Sequence, residues 1–182
     1  MIITAEEAEE QAILSTAKQM MAAIHTAPKG CGMDKVKTIA LTGSDKDCLA
    51  DEMMKINAET GLEFFKRDSE NVRNSALVIL VGVPDSPLGM PHCGICGFTD
   101  CAANRVAGGR CIFTIADLGI ALGSAVSLAS SQDIDSRIFY SIGKAAMRLH
   151  SLGDKVTNIF GIALSVSSKN IFFDRGPRKI MQ

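Results

Sequence analysis

Four of the chain's six cysteines fall within twenty residues, in the segment HCGICGFTDCAANRVAGGRC, positions 92 to 111. Cys93, Cys96, Cys101 and Cys111 follow the pattern CxxCxxxxCx9C, and the first three are close enough in sequence to grip one inorganic centre with little help from the fold. Four thiolates suit either an iron–sulfur cluster or a tetrahedral zinc ion. The surroundings of the sulfurs separate the two. A cluster loop wraps around a bulky core and aims backbone N–H groups at sulfide, which calls for glycines in unusual dihedrals, and Gly94 and Gly97 supply that freedom. Zinc knuckles more often present two CxxC pairs, whereas only Cys93 and Cys96 form one here. The spacing therefore favours a cluster, with structural zinc and unligated thiols as the alternatives.

The other chemistry-bearing residues divide by position. Arg105 and Arg110, inside the loop, are placed to offset the negative charge of a thiolate-bound core, acting on its potential and not on ligation. His92 adjoins a ligand and is either solvated or a donor to sulfur. Cys48 falls in the apolar stripe of a predicted helix and reads as a small core residue, while Cys31 lies in a glycine-flanked loop. His25 and His150 lie near the ends of predicted helices, where a cation is favourable. Lys29, Lys169 and Arg175, in or near loops, are the candidate phosphate-holding side chains. The chain has no Ser-His-Asp order, no GxGxxG after a strand and no P-loop, so nothing points to hydrolysis, dinucleotide binding or nucleotide triphosphate chemistry.

These residues need a scaffold. Ala8, Ala12, Ile13, Ala17, Met20, Met21 and Ile24 recur at helical spacing, and Glu6, Glu7, Glu9 and Glu10 occupy the first turns, which predicts a helix from 5 to about 27. TAPKGCG ends it. VKTIALTG (36–43) predicts a strand, and SDKDCLADEMMKINAETG (44–61) a helix opened by Ser44 with Asp47 three residues on and closed by a glycine. RDSENVRNS (67–75) reads as a short helix leading into ALVILVGVP (76–84), a buried strand. Beyond the cysteine loop, TIADLGIALGSAVSLASSQDID (114–135) predicts a helix whose Gly119, Ala121, Gly123, Ala125 and Ala129 leave room for close approach by another helix, a second subunit or a flat cofactor. A helix over 137–153 and a β-rich stretch over 155–168 complete the pattern. The Met20–Met21 and Met53–Met54 pairs fall on helix faces as core filling.

The interleaving predicts an α+β or α/β chain of one domain, residues 1–182, with residues 91–111 as an inserted loop. A 47% hydrophobic and 21% charged composition is that of a globular core-former. The net charge of −1 argues against nucleic acid as a partner. MIITAEEAEEQ lacks the basic start and apolar run of a secretory signal, and the apolar stretches at 76–83 and 112–129 are short or interrupted by Asp117, glycines and serines. A soluble, cytoplasmic protein with no membrane contact is expected, and clustered thiols in a reducing compartment mean metal or redox chemistry.

CGICGFTDC resembles the CGxCGxxxC signature of the four-iron four-sulfur domain found in corrinoid iron–sulfur proteins and in an iron–sulfur subunit of membrane electron-transport complexes. In that family the fourth cysteine comes further downstream and is usually followed by proline; here Cys111 comes early and Ile112 follows it, leaving His92, Asp100 and Cys31 as substitutes for Cys111. Taken whole, with TAPK, RDSENVRNS, DLGIALGSAV and FFDR in that order, the chain is similar to a family of small uncharacterised bacterial and archaeal proteins containing a ferredoxin domain. More distantly, the long first helix ending in TAP, the buried strand, the small-residue helix and the late strand resemble the flavin-dependent nitroreductase fold. That resemblance implies an α+β sheet flanked by helices, a homodimer, and FMN at the subunit interface with Lys29, Lys169 and Arg175 near its phosphate. The arginine-rich N-terminal segment that grips the flavin phosphate in those enzymes is replaced here by MIITAEEAEE. Together the readings imply electron transfer through a four-iron four-sulfur cluster to an unidentified redox partner protein, with structural zinc in a binding or assembly module, or an FMN-dependent oxidoreductase, as the alternatives.

Overall fold

The computed structural model describes residues 1–173, so Arg175 lies outside the described residues. Along these the chain forms α1 (Ala5–Thr26), a 3-10 turn (Gly30–Gly32), β1 (Lys37–Leu41), α2 (Gly43–Thr60), α3 (Glu63–Asn74), β2 (Leu77–Pro84), α4 (Cys101–Val106), α5 (Ile112–Ser131), β3 (Asp135–Phe139), α6 (Tyr140–Arg148) and β4 (Val156–Ser165). The four strands make one sheet in the order β1-β2-β4-β3, antiparallel throughout. The architecture is α+β, as the sequence predicts.

Side chains alternate across a strand, so β2 feeds two cores. Leu77, Ile79, Val81 and Val83 face α1 and α5 together with Ile162 and Leu164 of β4. Val78 and Leu80 face the other way, toward Leu49 and Met53 of α2, Phe65 and Val72 of α3 and Ile142 of α6. The sheet is thus the middle of three layers, and β2 reads as an unbroken apolar run because both of its faces are covered. On α1, Thr4 and Glu7 form a reciprocal cap, with the Glu7 amide donating to the Thr4 hydroxyl at 3.2 Å and the Thr4 amide to the Glu7 carboxylate at 3.0 Å.

Several expectations need correction. Cys48 is exposed: the buried stripe of α2 is Lys46, Leu49, Ala50, Glu52, Met53 and Ile56, and position 48 lies out of phase with it. Lys46 takes the inward place because its ammonium donates to the Val72 and Arg73 carbonyls at the end of α3, at 2.8 and 3.1 Å. Ser44 does not open α2; the helix begins at Gly43, after Thr42, without a side-chain cap. Met20 and Met53 are core, whereas Met21 is only partly buried and Met54 is exposed. The predicted helix over 137–153 divides, because Asp135–Phe139 pairs with Ser165–Gly161 and the helix covers only Tyr140–Arg148. It presses so closely on β4 that a Cβ at Gly143 would lie 1.7 Å from the Ile159 carbonyl oxygen.

The small residues of α5 serve two faces. Ala121, Ala125 and Ala129 are fully buried on the side packed against α1. Gly119 and Gly123 point the other way, where nothing among the described residues comes within 4 Å of a Cβ placed there. By length and composition alone α5 could cross a membrane, so Asp117, the glycines and the serines do not interrupt it as the sequence reading supposed; its inner stripe belongs to the core.

Candidate functional site

Past Pro84 the chain leaves the sheet, and polar links hold the departing segment. The Lys35 ammonium donates to the Ser86 carbonyl at 2.9 Å, the Ser86 hydroxyl at 3.1 Å and the Pro87 carbonyl at 3.2 Å. The Thr114 hydroxyl, in the first turn of α5, donates to the same Ser86 carbonyl at 3.0 Å. Arg110 pairs with Asp85 at 2.6 Å, tying the far end of the cysteine loop back to the end of β2. The loop is therefore pinned where it leaves the scaffold and where it returns.

Between those points the glycines do what their spacing foretells. Gly94 and Gly97 have φ of 58° and 86°, left-handed values that cost other residues energy, and the Gly97 amide donates to the Gly94 carbonyl at 2.9 Å to close a tight turn bearing Cys96. Asp100 caps α4 by accepting from the Ala103 amide at 2.8 Å, which sets Cys101 as the first residue of that helix. Cys111 immediately precedes α5. The result is that Cys93, Cys96, Cys101 and Cys111 all line one partly open cavity, with Pro87, Asn104 and Phe113 also in its wall.

Cys111 is the most enclosed of the four. Its thiol is nonetheless drawn below its ordinary value: burial pushes it up, but the Thr114 and Leu88 amides, the Thr114 hydroxyl and the Phe113 amide together outweigh that by favouring the thiolate. Of its possible substitutes, Asp100 lines the cavity but spends its carboxylate on the α4 cap, and neither His92 nor Cys31 is in the cavity wall. Among the described residues no three His, Cys, Asp or Glu side chains are grouped closely enough to hold a single metal ion. A wall of four cysteines is a donor set that fits an iron–sulfur cluster, as it would also fit a structural zinc ion.

The remaining candidates are dispersed. Lys29 is buried at the end of α1, and its ammonium donates to the carbonyls of Ile24, His25 and Ala27 at 2.7, 2.9 and 2.7 Å, so all three of its N–H groups close the helix. Lys169 lies in the loop after β4, where its carbonyl accepts from the Ser167 hydroxyl. Neither lines the cysteine cavity. Arg110 shares its charge with Asp85, and Arg105 is exposed, its Nε reaching the Cys101 carbonyl at 3.4 Å. His25 and His150 meet Asp34 and Asp154 at 2.6 and 3.0 Å. Sequence reasoning missed Lys35, Asp85, Asn104 and Thr114. Lys35 is 51 residues from Ser86, and no local pattern announces such a contact; Asn104, one helical turn beyond Cys101, carried the only available signal.

Comparison with known proteins gives two kinds of likeness. Solved structures share the fold: nitroreductase CinD from Lactococcus lactis, in complex with nicotinic acid, aligns with a TM-score of 0.60 at 12% identity over 100% of this chain and 86% of that one. The FMN-dependent nitroreductase NfnB from Mycobacterium smegmatis, in complex with NADPH, aligns with a TM-score of 0.57 at 15% identity over 90% of this chain and 83% of that one. Sequence gives the nearer kinship: an uncharacterized protein of Archaeoglobus fulgidus is 35% identical over 188 residues, 98% of this chain and 100% of the relative. Residues 107–175, which include Cys111 but not the other three loop cysteines, match a family described as uncharacterized protein containing a ferredoxin domain (DUF2148). With its nitroreductase-like fold and its cysteine-lined cavity, the chain belongs to this family of uncharacterized ferredoxin-domain proteins.

Proposed function

We propose that the chain is an iron–sulfur redox protein in which Cys93, Cys96, Cys101 and Cys111 hold a four-iron four-sulfur cluster. Such a cluster supplies a one-electron store that a redox partner fills and empties. The observation that supports this reading is the convergence of all four cysteines on one cavity, the fourth brought there by the start of α5 and not by the spacing of the motif. Anaerobically purified protein is expected to be brown, to absorb broadly near roughly 400 nm, to bleach on reduction and to contain about four irons and four sulfides per chain. Colourless protein with about one zinc per chain overturns it.

A second reading adds FMN in a homodimer. It is favoured by the outer face of α5, where Ile115 and Ile120 are exposed beside the bare Gly119 and Gly123, in a fold shared with FMN-dependent enzymes. A second subunit on that face would cover it, and the cluster would then serve as the flavin's electron inlet. Lys29 would have to surrender three carbonyls to reach a phosphate, which leaves Lys169 and Arg175 as the side chains to substitute. Light scattering gives the oligomeric state. Yellow, fluorescent cofactor released on denaturation supports flavin binding, and protein still free of flavin after incubation with FMN overturns it.

A further inference from the structure

Asn104 is the one buried residue of α4, only 1% exposed. Three of its polar groups tie the short helix to the chain around it: its amide donates to the Asp100 carbonyl at 3.1 Å, its carbonyl accepts from the Gly109 amide at 2.9 Å, and its side-chain Nδ2 donates to the Arg110 carbonyl at 3.2 Å. Its Oδ1 is buried without a partner, the only such side-chain atom among the described residues. Turning the amide over would set Oδ1 against the Arg110 carbonyl, acceptor against acceptor, so the link to Arg110 fixes the orientation. Leaving a buried carbonyl oxygen without a donor is unfavourable, and leucine, of similar size, would fill the space without that penalty. Space-filling is therefore not what suits asparagine to this position.

Its location supplies the other purpose. Asn104 comes three residues after Cys101 and seven before Cys111, and it lines the cavity that both line. The contact leaves little slack, since a Cβ on Gly109 would fall 2.8 Å from Nδ2 and 2.7 Å from the Phe98 ring. We infer that Asn104 is a positioning residue for the cofactor: through the Arg110 carbonyl it sets where the chain delivers Cys111 relative to Cys101, and so holds the fourth thiolate at the cluster. This rests on the cluster reading above. Supporting contacts of this kind decide whether a ligand stays within bonding reach.

Asn104→Leu removes the donor and keeps the bulk. Full-length protein, purified anaerobically, is assayed for iron and sulfide per chain and by EPR before and after ferricyanide, with Cys111→Ala alongside. In the variant ferricyanide takes one electron from the four-iron core, which sheds its unclamped iron as Fe²⁺ and keeps all four sulfides, so about one iron per chain is lost and a three-iron EPR signal appears. Wild-type protein keeps its four irons, and Cys111→Ala behaves like the variant. Gly109→Ala reaches the same contact from its other side and is expected to give the same signature should Asn104→Leu fail to fold. Retention of all four irons in the folded variants overturns the inference, as does loss of iron and sulfide in equal proportion, the mark of a loop that has merely loosened. Iron-free wild-type protein sinks the cluster reading itself and is seen before any variant is made.

Discussion

Seven of the eight residues of β2 are buried, whereas between positions 85 and 111, where the chain leaves that strand, only Asn104 and Cys111 are. The strand is held by apolar surface packed on both faces. The loop is held by a lysine on carbonyls, an arginine on a carboxylate, a threonine on a backbone oxygen and a carboxamide on another. Burial of the first kind is non-directional and indifferent to what occupies the cavity. The second kind is directional and sparse, so under the cluster reading proposed above the loop's stability is tied to what its cysteines hold. One fold thus carries a scaffold packed on apolar surface and a loop tethered by polar links.

The comparison can be broken at either end. Leu80→Ala, in the core shared by β2 and α2, is expected to cost about 2–5 kcal/mol in denaturant unfolding, equally with and without metal. A cost that depends on metal would erase the distinction. Cys96→Ser is expected to abolish most bound iron and open 85–111 to proteolysis while far-UV circular dichroism keeps the scaffold's signal; Cys48→Ser, exposed on α2, should leave iron content unchanged. Lys35→Met removes three hydrogen bonds from a charged donor and is expected to destabilise the loop locally by about 1.5–3 kcal/mol, read as faster amide exchange around Ser86 with little change in global unfolding.

The smallest effect belongs to the scaffold's polar brace. The hydrogen bond from Lys46 holds the Asp47 carboxyl below its ordinary value of 3.8, against the opposing pull of burial. Because the folded value is depressed, the contribution is complete above the unfolded value and disappears as pH falls through the folded one. Asp47 is half exposed, so Asp47→Asn is expected to cost less than about 1 kcal/mol near neutral pH, and its acid unfolding curve should merge with wild type at the lowest pH.

The same contrast decides what was legible in the sequence. β2, α1 and the glycine-closed end of α2 announce themselves because a regular element repeats its burial at a fixed period, and three of the four cysteines because a tight loop needs its donors and glycines close together. Cys111 was harder to place: its position depends on α5, on Asp85 and on Asn104, contacts that form only once the sheet exists. Cys48 went wrong because Leu49, Ala50, Met53 and Ile56 set the buried phase of α2 and position 48 lies outside it, while Lys46, which lies within it, is a residue type that hides the stripe. Strand β3 was hidden because its backbone answers to β4, and the local pattern of RIFYSIGKAA is helical.

Helix α5 has 20 residues, about 30 Å of rigid rod. One end abuts a sulfur of the cavity, and the helix is held along its whole length: near that end by Thr114 on the Ser86 carbonyl and Asp117 on the Gly30 amide, and beyond it by Leu118, Ala121, Ala125 and Ala129 in the core. The helix that delivers Cys111 is therefore also the one that carries the core facing α1, so the packing of that layer and the place of this thiol are set by one element.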